Sequence, residues 1–300
     1  IRLISEGKIG EAEAICRQLL VVDESNFVAM RLLSICGDGE SELAKSAEKL
    51  AGTDPVSHNS LGMACLHARR PEDAIGHFLK SSELDVDSEG PPFNIGSCMM
   101  MLGRCDEALT SFTKAHKKSG SERSAIGMAC AMAEMLDMDE AINTLEKVLN
   151  SNPNSTSAKT NMASILHLAG RWDEAWPFYP SRLEHYDYAI QLIKKIGLPM
   201  WDGASRPCER LVAFSEQGIG DVINSWHMVP ELERRFPKTK VGLLVPKSIQ
   251  PMMKLQGMHV IDDVSGFQQC CSMMDLPGLM KMSREDVKRS FKKLSVEGTC

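Results

Sequence analysis

Gly103-Arg104-Cys105-Asp106-Glu107-Ala108 is the phrase that decides how most of this chain folds. It recurs as Arg70-Pro71-Glu72-Asp73-Ala74, as Asp137-Met138-Asp139-Glu140-Ala141 and as Gly170-Arg171-Trp172-Asp173-Glu174-Ala175. An earlier copy reads Gly7-Lys8-Ile9-Gly10-Glu11-Ala12. The alanines at 74, 108, 141 and 175 stand 34, 33 and 34 residues apart. Glycine at the turn stops one helix, and the acidic residues after it favour the start of the next. Gly62 and Gly96 each lie twelve residues before the key alanine, where two helices of one unit must approach closely. Phe78 and Phe112 lie four after it, on the same face of the second helix.

A period of about 34 residues in helical sequence resembles the tetratricopeptide repeat. The resemblance runs from residue 1 to roughly 180, as about five repeats plus a partial one at the start. Within it Phe27 to Pro55 reads as a degenerate copy with Ala44 near its key position. Such repeats stack into an α-helical solenoid with a concave surface, because no single hairpin buries its own apolar face. The resemblance implies a protein or peptide partner in that groove; a spacer presenting an attached domain is the other role open to it. His67, His77, His116 and His167 stand singly and read as packed or surface residues. The run Met99-Met100-Met101 reads as helical core, with an adaptable binding surface as its alternative.

The bulk numbers narrow the class. Of 300 residues 43% are hydrophobic and 25% charged, which is ordinary for a globular protein. A net charge of -6 offers no basic surface to a nucleic acid. Ten cysteines are scattered without a Cys-x-x-Cys pair or zinc spacing. They read as reduced, buried thiols, which with the lack of a signal peptide gives a cytoplasmic expectation. No run of eighteen apolar residues reads as a membrane span. The chain opens at Ile1 within helical sequence and stops at Cys300, and so reads as a piece of something longer.

After Ala175 the pattern changes to Trp176-Pro177-Phe178-Tyr179-Pro180-Ser181-Arg182. The prolines stop the repeat, and Trp176, Tyr179 and Arg182 read as a stacked, hydrogen-bonded cap on it. A helix over 186–196 and an extended connector follow, in which Trp201 reads as an anchor between two domains. Beyond it Leu211-Val212-Ala213-Phe214 is a continuous apolar run, the signature of a parallel strand covered on both faces. Gly218 and Gly220 then read as a turn that leaves room for a ligand, and Asp221 as a carboxylate at the start of a helix. That helix is expected to run to Arg235 with a kink at Pro230. Further strands are expected at Val241–Val245, near His259–Ile261 and near Gln269–Met274, in a Rossmann-like parallel sheet. Ile223 stands where a dinucleotide fingerprint has its third glycine, so a nicotinamide or flavin site is not expected.

Three motifs in order, Trp201-Asp202-Gly203, Glu216-Gln217-Gly218-Ile219-Gly220-Asp221 and Ser272-Met273-Met274-Asp275-Leu276-Pro277, resemble bacterial proteins that join these repeats to a glycosyltransferase-like domain. That domain resembles the heptosyltransferase family (glycosyltransferase family 9) and, more distantly, the O-linked N-acetylglucosamine transferases. The resemblance implies the first half of a two-domain GT-B fold, whose nucleotide-sugar pocket would lie in a second half after residue 300. It implies an inverting, metal-independent transfer from a nucleotide sugar, with no cofactor. Asp221 would be the general base, with Glu216, Gln217, Gly218, Gly220 and His227 around the substrate. Helix capping without catalysis is the other role open to Asp221. The chain departs from the family at His227-Met228, where an Arg-Tyr pair is usual, and at Asp275, where serine is common. The expected organisation is a repeat array over 1–185, a linker over 186–206 and the Rossmann-like half over 207–300. The rival function is a non-enzymatic scaffold whose repeats grip a partner and whose α/β segment is a docking domain.

Overall fold

The computed structural model describes residues 8–36 and 42–291. It divides into two compact units, residues 1–153 and 154–300. The last copy of the repeat phrase, at 170–175, therefore groups with the α/β residues, and the division falls 32 positions before residue 185.

The first unit is made of helical hairpins. Its helices are α1 (Ile9–Val22), α2 (Phe27–Cys36), α3 (Glu42–Ala51), α4 (Pro55–His67), α5 (Pro71–Leu84), α6 (Gly90–Met101), α7 (Cys105–Ser119), α8 (Glu122–Glu134) and α9 (Met138–Ser151). Gly7 and the Ala44 side chain lie outside the described residues. The degenerate copy forms the α2–α3 hairpin all the same, with Ala47 fully buried.

The small-residue grammar is met closely. Ala74, Ala108 and Ala141 are wholly buried. A Cβ built on Gly62 would stand 2.6 Å from the Phe78 ring, and one on Gly96 2.7 Å from the Phe112 ring. Each glycine is therefore the socket for a phenylalanine of the next helix. The turns repeat as well. Arg69, Gly103 and Leu136 all have left-handed φ, at 58°, 70° and 66°. The amide after each bonds back five residues, as in Arg104 N–H to Met99 O at 2.9 Å. Glycine takes that conformation freely, whereas Arg69 and Leu136 hold it at a cost of about 1 kcal/mol each. Helix starts are capped where the sequence allows: the Asp54 carboxylate accepts from Ser57 N–H at 2.7 Å.

The second unit starts with α10 (Thr156–Leu168), α11 (Trp172–Ala175), a 3-10 turn (Tyr179–Glu184) and α12 (Asp187–Ile196). A parallel sheet follows in the order β2-β1-β3, with β1 Arg210–Phe214, β2 Lys240–Leu244 and β3 Gln269–Ser272. Phe214 pairs with Leu244 on one side and Ser272 on the other. Both faces are covered, as the apolar run requires. Leu211, Ala213, Leu243 and Cys271 pack with Trp226, Leu232 and Met253, while Val212, Phe214 and Cys270 pack with Ile196, Ile261 and Phe267.

Several expectations are corrected here. Among the described residues the sheet has three strands, narrower than the Rossmann-like half expected over 207–300. Residues 259–261 supply a single bridge, Leu243 to Val260, because the chain turns away at Asp262-Asp263. The helix from the glycine loop is two helices, α13 (Ile219–Ser225) and α14 (Met228–Arg235). Pro230 has no N–H for the carbonyl four residues back, so the break falls at Trp226-His227 and the proline sits in the first turn of α14. Trp201 is buried in the sheet's own core, with Nε1 donating to Ser205 O at 3.0 Å, and so anchors the connector within this unit. The remaining helices are α15 (Gln250–Leu255), α16 (Leu276–Leu279) and α17 (Arg284–Ser290). No helix among the described residues is long and apolar enough to cross a membrane.

Candidate functional site

In the first unit the leading helices of successive hairpins touch through side chains. Asn94 Nδ2 on α6 donates to Asn59 Oδ1 on α4 at 3.0 Å. The Arg123 guanidinium of α8 lies 3.6 Å from the Phe93 ring centre. Met63, Phe93, Met100 and Met128 are half-buried on these helices, whereas Met99 is core and Met101 is exposed. The core reading of the Met99–Met101 run thus holds for Met99, and Met100 packs against the same cluster. A cleft of about 450 Å³ opens on α8 and α9, with Met128, Met132 and Val148 as its apolar floor and Glu140, Thr144 and Lys147 on its rim.

In the second unit the carboxyl ends of the strands converge on one buried arginine. The 3-10 turn holds Arg182, the end of β1 brings Glu216, and the end of β3 brings Ser272 and Asp275. Arg182 Nη2 donates to Glu216 Oε1 at 2.6 Å and to Ser272 Oγ at 3.0 Å. Arg182 Nη1 donates to Tyr179 O at 2.9 Å and to Asp275 Oδ1. Ser272 Oγ donates to Glu216 Oε2 at 2.7 Å, and the guanidinium stacks 3.9 Å from the Tyr179 ring centre. Tyr179 in turn meets Trp176 and His167 edge to face. Trp176 and Tyr179 therefore stack on His167 of α10, as a cap on the last repeat would, and Arg182 in addition ties this turn to the ends of the strands.

One guanidinium serves two carboxylates. Burial pushes the Asp275 carboxyl up to about 6, against the pull of Arg182 and with the push of Glu216. The folded protein thus holds this proton more tightly than the unfolded chain does. Its contribution to stability is complete below the ordinary value of 3.8 and is lost as pH rises through about 6. The size is on the order of 2–3 kcal/mol. Urea unfolding of wild type and Asp275→Asn between pH 4.5 and 7.5 should show the variant gaining on wild type by that amount as pH rises. A gap that stays constant with pH would refute it.

The residues singled out from sequence are only partly brought together. Glu216 is spent on Arg182 and Ser272, with its side chain fully buried, so it faces no solvent-borne ligand. His227 is also buried, its Nδ1 3.2 Å from Ser290 Oγ and its ring against Phe291, and burial lowers its pKa. Gln217 is half-buried, and Gly218 and Gly220 are exposed. Gly218 has φ −70°, open to any residue, so the loop does not need glycine for its turn. Open space is the property that holds: nothing lies within 4 Å of a Cβ built on Gly220. Asp221 is half-buried in the first turn of α13, where Oδ2 accepts from Gly218 N–H at 3.1 Å. A crevice of about 310 Å³ lies at the carboxyl edge of the sheet, walled by Tyr188, Lys195, Ser215, Pro246 and Asp263 and not by the glycine loop. Sequence reasoning missed the pairing of Arg182 with Glu216 and Asp275. The signals available were an arginine among prolines and an aspartate, Asp275, four residues after an apolar strand-like run.

The tetratricopeptide-repeat family matches residues 126–155, across α8 and α9. This chain carries tetratricopeptide repeats. Two curated relatives are similar at low identity, one of them named for the same repeat. Tetratricopeptide repeat protein 8 of Caenorhabditis elegans is 24% identical over 136 residues, 43% of this chain and 27% of the relative. Protein FlbA of Caulobacter vibrioides is 23% identical over 239 residues, 78% of this chain and 34% of the relative. The chain thus spans about a third or less of the length of these relatives. Among solved structures, MamA is 20% identical with a TM-score of 0.44, covering 64% of this chain and 98% of that one. YrrB, described as a TPR protein with an unusual peptide-binding site, is 13% identical with a TM-score of 0.41, covering 60% and 97%.

Proposed function

We propose that the repeat array is a protein-interaction module that holds an extended peptide segment of a partner. The observation that carries this is the cleft on α8 and α9. It joins an apolar floor that includes two half-buried methionines to a rim of both charges. Methionine adapts its shape to apolar side chains at little rotamer cost, and the polar rim supplies orientation. Peptide selection on the whole chain should enrich sequences that bind with a Kd in the micromolar range, about −8 kcal/mol. Met132→Lys should weaken them by about tenfold or more. Failure to enrich any peptide, or binding indifferent to Met128→Lys and Met132→Lys, would overturn the reading.

A second reading, glycosyl transfer by a longer protein, keeps one supporting feature. A half-buried carboxylate, Asp221, stands in the first turn of α13, next to the open space at Gly220 and after the loop that leaves the carboxyl end of a parallel strand. A nucleotide sugar would be its donor, and a protein or glycan hydroxyl its acceptor. In the same preparation, nucleotide-sugar turnover that is equal in wild type and Asp221→Asn would remove that residue from any mechanism.

A further inference from the structure

The second unit contains a cavity of about 500 Å³ that neither reading uses. Three stretches wall it: the Trp176 to Pro180 segment, the connector at Asp202, and the chain from Asp275 to Ser283. Its walls are fitted to one another. Gly203 has φ +72°, and a Cβ there would lie 2.6 Å from Leu279 O, so the connector seats Asp202 directly against α16. A Cβ on Gly278 would lie 2.9 Å from Trp176 Cβ, which sets the indole against the same helix. The volume is that of a site for a small ligand or a single long side chain.

The charges at this cavity do not balance. Arg182 is shared between Glu216 and Asp275, so the buried cluster is one positive charge short. Asp275, 4% exposed, borders the cavity, and the exposed Asp173 and Asp202 line it too. Among the described residues that wall it, Lys281 is the one cation. Apart from Ser283 the rest of the lining is apolar, with Trp176, Leu279 and Met282 prominent. A buried carboxylate without a full counter-charge takes up either a proton or a cation. An acidic cavity with an apolar wall suits a cation carried on a hydrocarbon stem.

We propose that this cavity binds an organic cation, an ammonium or guanidinium group on an apolar stem, with its charge on Asp275 and its stem along Trp176, Leu279 and Met282. Basic side chains and small free amines share that chemistry. The proposal rests on the second unit alone and is independent of the peptide cleft on α8 and α9. Proton and cation compete for the same carboxylate, so binding weakens as pH falls below the raised Asp275 value of about 6.

Calorimetric titration of the whole chain tests this with four probes: N-acetyl-lysine methylamide, N-acetyl-arginine methylamide, cadaverine and the neutral N-acetyl-norleucine methylamide. At least one cationic probe should bind with a Kd of about 1 mM or tighter, and the norleucine probe about tenfold more weakly. Binding by cadaverine alone identifies a free amine, and binding by the amino-acid amides a basic residue of a peptide. Asp275→Asn leaves Arg182 and Glu216 as a balanced pair and should weaken cation binding about tenfold. If that variant fails to fold, the double variant of the exposed residues, Asp173→Asn with Asp202→Asn, should weaken it about threefold. The proposal is overturned if no cationic probe binds at about 10 mM or if norleucine binds as well as lysine. Binding by every folded variant as tight as by wild type overturns it equally.

Discussion

Arg182→Met unfolds the second unit at neutral pH, or leaves it less stable by about 3–5 kcal/mol. Removing the guanidinium strands Glu216 and Asp275 in a site where both side chains are almost wholly buried. It also takes a hydrogen bond from Ser272 Oγ and another from Tyr179 O. The cost falls less on lost attraction than on carboxylates left without a partner. A control follows from that. The triple variant Arg182→Met, Glu216→Gln, Asp275→Asn carries no buried charge and should recover more than half of the loss. Tryptophan fluorescence reads this unit selectively, because Trp172, Trp176, Trp201 and Trp226 all lie in it. A urea midpoint for Arg182→Met equal to that of wild type would contradict the account.

Phe112→Ala costs the first unit about 3–5 kcal/mol and lowers its helical signal in far-ultraviolet circular dichroism. The ring is locked between two glycines of flanking helices. A Cβ on Gly96 would stand 2.7 Å from it and one on Gly127 2.8 Å, and Phe93 packs on it with centroids 5.2 Å apart. Deleting the ring empties a space that α6, α7 and α8 all line, and in a solenoid each hairpin leans on its neighbours. The same geometry makes the opposite change informative. Gly96→Ala overfills the socket and should cost about 1–3 kcal/mol in wild type. In the Phe112→Ala background the added methyl has room, so its cost should fall close to zero. Equal costs in the two backgrounds would mean that the glycine is not there for the phenylalanine.

These two sites also mark where sequence reading succeeds and where it stops. The close approach at Gly96 and the face of Phe112 were legible because both lie within one hairpin and Gly62 and Phe78 repeat their places; that the ring occupies the glycine's side-chain space is a finding of the fold. The strands were legible from the apolar run Leu211–Phe214, but their number was not. A segment such as His259–Ile261 has strand-like residues and is still given a single bridge by the turn after it. The glycine loop drew attention to Asp221 and to Glu216, two residues that sequence treats alike as acids of one loop. Only the fold shows that one is half-open to solvent and the other wholly consumed by an arginine.

By itself the sequence determined the helical hairpins, their period and the small residues at their close approaches, since every contact that defines them lies within one hairpin or the next. The tertiary structure alone decided the distant partners of Arg182, which stand 34, 90 and 93 residues away along the chain. It also decided that the last hairpin belongs with the sheet. The physical reason is the range of the forces involved. Side-chain size and helix periodicity act between neighbours and leave a mark in local sequence. Which carboxylate is buried against which cation depends on where distant strands end, and that is settled only when the sheet closes around them.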